Sequence, residues 1–194
     1  MIEILSMSSC DGGDGIKITV CANGEKNAFK VFSDFYFENG FKKGEIFEEE
    51  LMLISENATA YAAYRTAIRI ISMGQCSEKK LYEKLRLRGF PHECAKNASK
   101  NAAEKGYIDE DWQIESYLKT LVEKKHFGRR KIIPTLLAKG YKGDRINQIL
   151  DENYSDGDFK KYRAEFLTDR FGKTKPDSAE EALEMKKALY KQGY

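Results

Sequence analysis

The chain has 194 residues, of which 41% are hydrophobic and 33% charged. This is enough for one ordinary domain or two small ones beneath a heavily charged surface. It has no run of about 18 apolar residues and no signal-peptide pattern at its start, which argues against membrane insertion and secretion. We therefore expect a cytoplasmic protein without membrane contacts, whose four cysteines are reduced thiols.

The net charge of +2 conceals an uneven distribution along the chain. Residues 1–56 carry 5 Lys or Arg against 11 Asp or Glu, whereas residues 57–141 carry 17 against 9. Residues 142–194 are balanced, with 11 of each sign. The basic middle favours a polyanion or an acidic protein surface as partner, although a solvated Lys-rich helical surface would have the same composition.

The first 37 residues have a β-like pattern. Apolar and polar residues alternate over Ile16–Val20, Asn23 and Gly24 form a turn signal, and the aromatic stretch Phe29–Phe37 is β-prone. We predict a small antiparallel hairpin or three-stranded meander that leans on the helices, because an isolated hairpin is only marginally stable. The acidic residues that begin at Glu48 then predict a short helix.

The rest of the chain shows helical periodicity and helix-capping signals to its end. The predicted helices lie at residues 59–73, 78–88, 92–105, 110–125, 129–139, 143–152, 158–171 and 178–191.

One closing signature occurs three times, at Leu85–Phe90, Leu136–Tyr141 and Leu189–Tyr194. Its glycines, Gly89, Gly140 and Gly193, are 51 and then 53 residues apart. Each copy is typical of a helix that ends at a glycine, with an aromatic residue folding back on the last turn. These spacings predict repeated helical units.

A second signature lies between the copies of the first, since Tyr107–Trp112 resembles Tyr154–Phe159. Each copy places an acidic residue at a helix N-cap and an aromatic just inside the helix. The predicted fold is therefore mainly α, with elongated tandem three-helix repeats of helix-turn-helix-like units after a small N-terminal β-hairpin segment. The expected units are 1–56, the acidic β-hairpin and short-helix segment; 57–106, repeat 1; 107–154, repeat 2; and 155–194, a truncated repeat 3.

No pattern in the sequence favours catalysis or metal binding. It lacks an HExxH motif, a paired Cys/His set and a DxDxDG loop, and Gly12–Gly15 lacks the lysine and the following helix of a phosphate-binding loop. We expect no enzyme activity, no metal and no cofactor. Aromatic residues recur at the repeat boundaries, and we attribute most of them to core packing; they are Phe90, Tyr107, Trp112, Tyr117, Phe127, Tyr141 and Tyr154.

The basic residues indicate binding instead. Lys124–Lys131 places five cations around Phe127 at a helix junction, where the amides at the start of the next helix would add positive potential. Arg65 and Arg69 lie one helical turn apart and share a face. Such a face could track phosphates or dock on acidic side chains. The predicted contacts are Arg65, Arg69, Arg86, Arg88, Lys125, Arg129, Arg130 and Lys139.

Three motifs together resemble the RecX family. They are Ser77-Glu78 with Leu81, Leu85, Gly89 and Phe90; Gly106–Asp111; and Phe127-Gly128 with Ile132, Leu136 and Lys139-Gly140-Tyr141. The lead-in Phe41–Glu45 is similar to that of some members. The resemblance covers roughly residues 41–172. The sequence departs from the family where Met73-Gly74 replaces a basic residue and where Pro134 lies within a predicted helix.

The resemblance implies tandem three-helix repeats and a bacterial regulator of the RecA recombinase. Such a regulator would bind RecA and the groove of the RecA–ssDNA filament, inhibit its recombinase, ATPase and co-protease activities, and contact DNA directly in some cases. We expect this chain to act in this way, as a monomer. The alternatives are a stand-alone nucleic-acid-binding repeat protein, which the basic segment favours, and a helical scaffold for an unrelated protein.

Overall fold

In the computed structural model, which describes residues 1–194, the chain begins with a four-stranded antiparallel sheet. Its strands are β1 (Ile2–Cys10), β2 (Gly15–Ala22), β3 (Glu25–Phe32) and β4 (Gly44–Glu45), in the spatial order β3-β2-β1-β4. Asn23 and Gly24 both have positive φ, 54° and 85°, as the tight turn between β2 and β3 requires. The predicted β-meander is confirmed, with the two-residue β4 as an addition.

The aromatic stretch after β3 corrects one prediction. Ser33–Asn39 is a helix, α1, and not the end of a strand. Phe35 packs 5.7 Å from Phe41 between ring centroids, on the apolar cluster under the sheet. Gly40, in the left-handed region at φ 61°, ends the helix. Partial burial of Phe35 and Tyr36 against this cluster therefore overrides the preference of aromatic residues for strands.

The next helix corrects a second prediction. Glu48–Ser72 forms one continuous helix of 25 residues, α2, where a short helix and a separate helix at 59–73 were expected. Asn57 resembles a helix-start signal, yet its side-chain oxygen accepts a hydrogen bond from the backbone N–H of Phe32 at 3.0 Å. Asn57 thus joins α2 to the end of β3 by a hydrogen bond and does not begin a new helix. The expected boundary between residues 56 and 57 therefore falls within this helix.

Seven further helices follow the predicted order, with ends within about two residues of those expected in most cases. They are α3 (Glu78–Leu87), α4 (His92–Glu104), α5 (Glu110–Lys119), α6 (Arg129–Ala138), α7 (Gly143–Asn153), α8 (Asp156–Phe171) and α9 (Ala179–Gln192). The helix predicted to reach residue 125 ends instead in a π-helical turn, Thr120–Lys124. Pro134 lies within α6, which continues past it.

The chain forms two compact units, each with its own core. The first comprises Met1–Gly74 and Leu81–Tyr107, and the second Gln75–Lys80 and Ile108–Tyr194. In the first, the inner face of the sheet packs on α2 through residues such as Ile18, Val31 and Ile54. In the second, Ile114, Leu136 and other residues of α5 to α8 form the main cluster. None of the helices combines the length and apolar character needed to span a bilayer.

Candidate partner-binding surface

The predicted contact residues lie at four places in the chain. Arg65 and Arg69 are on α2, Arg86 and Arg88 are at the end of α3, Lys125, Arg129 and Arg130 flank the start of α6, and Lys139 is at its end. The first four belong to the first unit and the other four to the second. They differ in how far the chain's own groups already engage them, and this decides which cations a partner could use.

Arg65 is largely engaged within the first unit. Its guanidinium lies 3.8 Å from Asp11 and 3.7 Å from Asp14, in the turn after β1. Asp11 also accepts hydrogen bonds from the Tyr61 hydroxyl at 2.8 Å and from Lys30 at 3.2 Å. The Tyr61 bond, then the Lys30 bond, lower the pKa of the Asp11 carboxyl. Arg65 therefore holds α2 against this turn as one member of a charge cluster.

Arg69, one turn further along α2, is exposed, and so are Arg86 and Arg88. The two α3 guanidiniums bond to carbonyls of their own helix end: Arg86 to Phe90 at 2.5 Å and Arg88 to Lys84 at 3.0 Å. Leu87 lies between them and is 87% exposed. This helix end therefore presents two cations on either side of an exposed apolar side chain.

Leu87 is a surface residue that the sequence-based prediction missed. Leu81 and Leu85 lie four residues apart and are both fully buried, so they define the inward face of α3. A leucine two positions after Leu85 must point away from that face, and this offset is the signal that could have identified it.

The start of α6 is in contact with the end of α9. Its amides were expected to add positive potential to the basic junction, but two of them already donate to carbonyls: Gly128 N–H to that of Gln192 at 2.8 Å and Arg130 N–H to that of Gly193 at 3.2 Å. A Cβ on Gly128 would lie 2.2 Å from the Gly193 oxygen, so this approach requires glycine at position 128. The end of α9 therefore satisfies these two amides, which leaves neither of them free to donate to a partner.

The side chain of Arg129 makes several contacts within the second unit. Its guanidinium contacts Asp151 at 2.5 Å and the Tyr154 carbonyl at 3.3 Å. It also lies 4.8 Å from the centre of the Phe159 ring, a cation–π contact. Phe159 is buried, and Arg129 therefore covers an aromatic core residue.

Arg130 and Lys125 are exposed on the same junction. The Lys125 ammonium lies 5.9 Å from the centre of the Phe127 ring, and that of Lys131 lies 3.8 Å from it. Lys139 is half-buried, with its ammonium 4.3 Å from the centre of the Tyr117 ring. Among the four predicted contacts of the second unit, Arg130 and Lys125 are thus the best placed for a partner.

Two of the boundary aromatics are not core residues. Trp112 is 56% exposed and Tyr107 is 50% exposed, whereas Tyr141 is buried as expected. No group of three His, Cys, Asp or Glu side chains is arranged to hold a metal ion. The predicted contact residues and their neighbours therefore present cations beside a few exposed apolar side chains, a combination found in macromolecular interfaces.

Comparison with known proteins gives a consistent assignment. The chain is 30% identical over 182 residues to the regulatory protein RecX of Caldanaerobacter subterraneus subsp. tengcongensis, a match that covers 92% of this chain and 87% of the relative. No model of a protein family matches the sequence.

Solved structures agree on the fold. A crystal structure of regulatory protein RecX matches with a TM-score of 0.78 at 19% identity, covering 100% of this chain and 95% of the other. RecX from Lactobacillus salivarius matches with a TM-score of 0.60 at 21% identity, covering 70% and 88%. By its sequence similarity to the Caldanaerobacter protein, the chain belongs to the RecX family of regulatory proteins.

Proposed function

We propose that the chain regulates the RecA recombinase, by binding RecA and the RecA–ssDNA filament and inhibiting its ATPase, recombinase and co-protease activities. The observation that carries this proposal is the similarity to a regulatory protein RecX over nearly the whole length of both chains. The proposed action is that of a binding protein without enzymatic activity, as a cytoplasmic monomer.

The distribution of cations supports such a role. A filament on single-stranded DNA is a polyanion, and phosphates and acidic side chains are the natural partners of exposed Lys and Arg. Arg69, Arg86, Arg88, Lys125 and Arg130 are exposed in this chain. We propose these five as the main contacts. Arg65, Arg129 and Lys139 would contribute less, because the chain's own carboxylates and rings already engage them.

The first test is the ssDNA-dependent ATPase of RecA with this protein titrated in at moderate salt. The wild-type chain should suppress hydrolysis at ratios up to about one per RecA. The double variant Arg86→Glu/Arg88→Glu should require at least about tenfold more protein for half-inhibition, the equivalent of losing one strong contact.

The matched control reverses two exposed lysines of α9, in Lys186→Glu/Lys187→Glu. It changes the net charge by the same amount and should inhibit nearly as well as the wild type. Absence of inhibition by the wild-type chain at every ratio would refute the proposed regulation of RecA.

Direct binding of DNA is a second candidate, because these exposed cations could also contact free nucleic acid. It predicts that the chain alone binds labelled ssDNA with an affinity that falls steeply with added salt. If RecA inhibition failed while this binding persisted, the chain would act as a nucleic-acid-binding repeat protein.

A further inference from the structure

One type of contact occurs twice in the second unit. At its first occurrence, the Ser77 hydroxyl at the start of α3 donates to the Lys139 carbonyl at 2.7 Å, next to Gly140. At its second, Gly128 N–H at the start of α6 donates to the Gln192 carbonyl, next to Gly193. In both, the glycine turn that ends one helix of the repeat packs on the first turn of the preceding equivalent helix.

The glycines make this packing possible. A Cβ on Gly140 would lie 2.6 Å from the Ser77 oxygen, and one on Gly193 would lie 2.6 Å from the backbone nitrogen of Lys131. Both glycines are buried. Only a residue without a side chain can bring its backbone so close to the start of another helix.

The residue before each glycine adds a second contact. The Lys139 ammonium lies over the Tyr117 ring, and the Gln192 amide donates to the Lys125 carbonyl. Both of these side chains are half-buried. Gln192 thus contacts the segment just before α6, whereas Lys139 packs on α5 beside the docked turn, so the features that both contacts share are the carbonyl and the glycine face.

The third copy of this turn has no such contact. In Arg86–Phe90, which we call the Gly89 turn, Gly89 and Arg88 are both exposed. A Cβ on Gly89 would meet nothing within 4 Å, and the Arg88 carbonyl accepts no hydrogen bond from another backbone N–H. The chain therefore contains three copies of the glycine turn, and two of them are docked on a helix start within the chain.

We propose that the Gly89 turn docks on the first turn of a helix of the partner protein, one that begins with Gly or Ser and carries acidic residues. The two internal contacts supply the template, since one helix start has Gly128 and the other Ser77. Acidic residues, common in the first turn of helices, would pair with Arg86 and Arg88. This proposal rests on the proposed function, which makes RecA the protein concerned.

Hydrogen-bond complementarity favours a helix start over nucleic acid at this turn. The C-terminal end of α3 presents carbonyl oxygens, which accept from the N–H donors of a helix start, whereas phosphate oxygens have no hydrogen to donate to them. Leu87 adds an exposed apolar contact that a phosphate backbone would not use. The two arginines then pair with carboxylates of the docked helix.

The test is Gly89→Asn, measured by RecA binding and by inhibition of RecA ATPase. Asparagine tolerates a left-handed backbone such as the φ of 87° at this position, and it leaves the charge unchanged. The matched control is Gly106→Asn, at the end of α4, where φ is 73° and a Cβ also meets nothing within 4 Å. Gly89→Asn should weaken binding to RecA at least about tenfold, while Gly106→Asn stays within about twofold of the wild type.

Each other outcome is decisive. Wild-type affinity of Gly89→Asn would overturn the docking proposal and leave RecA regulation standing, whereas no RecA binding by the wild-type chain would overturn both. Equal weakening by Gly106→Asn would assign the effect to backbone strain and overturn the proposal. A matching loss of ssDNA binding without RecA, or of self-association in sedimentation, would assign the turn to nucleic acid or to a second copy, again overturning it.

Discussion

Arg129 and Arg130 are neighbours in the sequence but lie in different surroundings. Arg129 pairs with Asp151 and covers Phe159, whereas Arg130 is exposed. The sequence shows only two adjacent cations after a glycine, so both were predicted as contacts. The distinction depends on Asp151 and Phe159, which lie 22 and 30 residues further along the chain, and no local pattern links them to Arg129.

The two arginines can be separated by paired substitutions. Arg129→Ala should lower the free energy of unfolding by about 1–2 kcal/mol, because it removes a cation–π contact and an ion pair at a half-buried site. Arg130→Ala should leave stability unchanged within about 0.5 kcal/mol but weaken RecA binding. Urea unfolding followed by circular dichroism measures the first effect, and equal stability losses in both variants would contradict the assigned roles.

At the scale of helices, the sequence predicts most of the described structure. Glycine and aromatic residues at repeated spacing mark the ends of α3, α6 and α9, because a left-handed cap followed by a returning aromatic is a local requirement. The two errors, at α1 and α2, arise where tertiary contacts determine the type or the length of the element. Burial of Phe35 and the Asn57 bond to Phe32 both join segments distant in sequence.

The contact between Gly128, at the start of α6, and the end of α9 gives a prediction about the docking of α9. Gly128→Ala should destabilise the chain by about 2–4 kcal/mol, because the new Cβ would collide with the Gly193 carbonyl and expel the end of α9. Gly143→Ala is the control, since a Cβ there meets only an ordinary contact, at 3.6 Å, and alanine favours helices. Thermal unfolding of both variants measures the difference, and equal melting temperatures would show that the docked end of α9 contributes little.

At the scale of the whole chain, the repeat explains why regular spacing is compatible with unequal surfaces. The glycine turns at Gly140 and Gly193 each pack against the start of another helix of the chain, whereas the turn at Gly89 packs against none. The sequence shows three similar signatures and cannot rank them, because whether a helix start of the same chain packs against each turn depends on contacts between segments distant in sequence. The candidate contacts were therefore predictable as a class of basic residues, while their availability required the structure.

The charge of the chain gives a last prediction, about rates. The excess of 17 Lys or Arg over 9 Asp or Glu in residues 57–141 should steer the protein toward the polyanionic filament, and salt screens such long-range attraction over roughly 10 Å at 0.1 M. In stopped-flow experiments, the association rate with RecA–ssDNA filaments should fall at least about tenfold between about 50 and 400 mM NaCl. The dissociation rate should change much less, because in the proposed docking the short-range contacts of the Gly89 turn set it. Gly89→Asn should have the opposite effect on the two rates: its association rate should stay close to that of the wild type, and its dissociation rate should rise. Salt dependence confined to dissociation would show that the basic residues act only after contact.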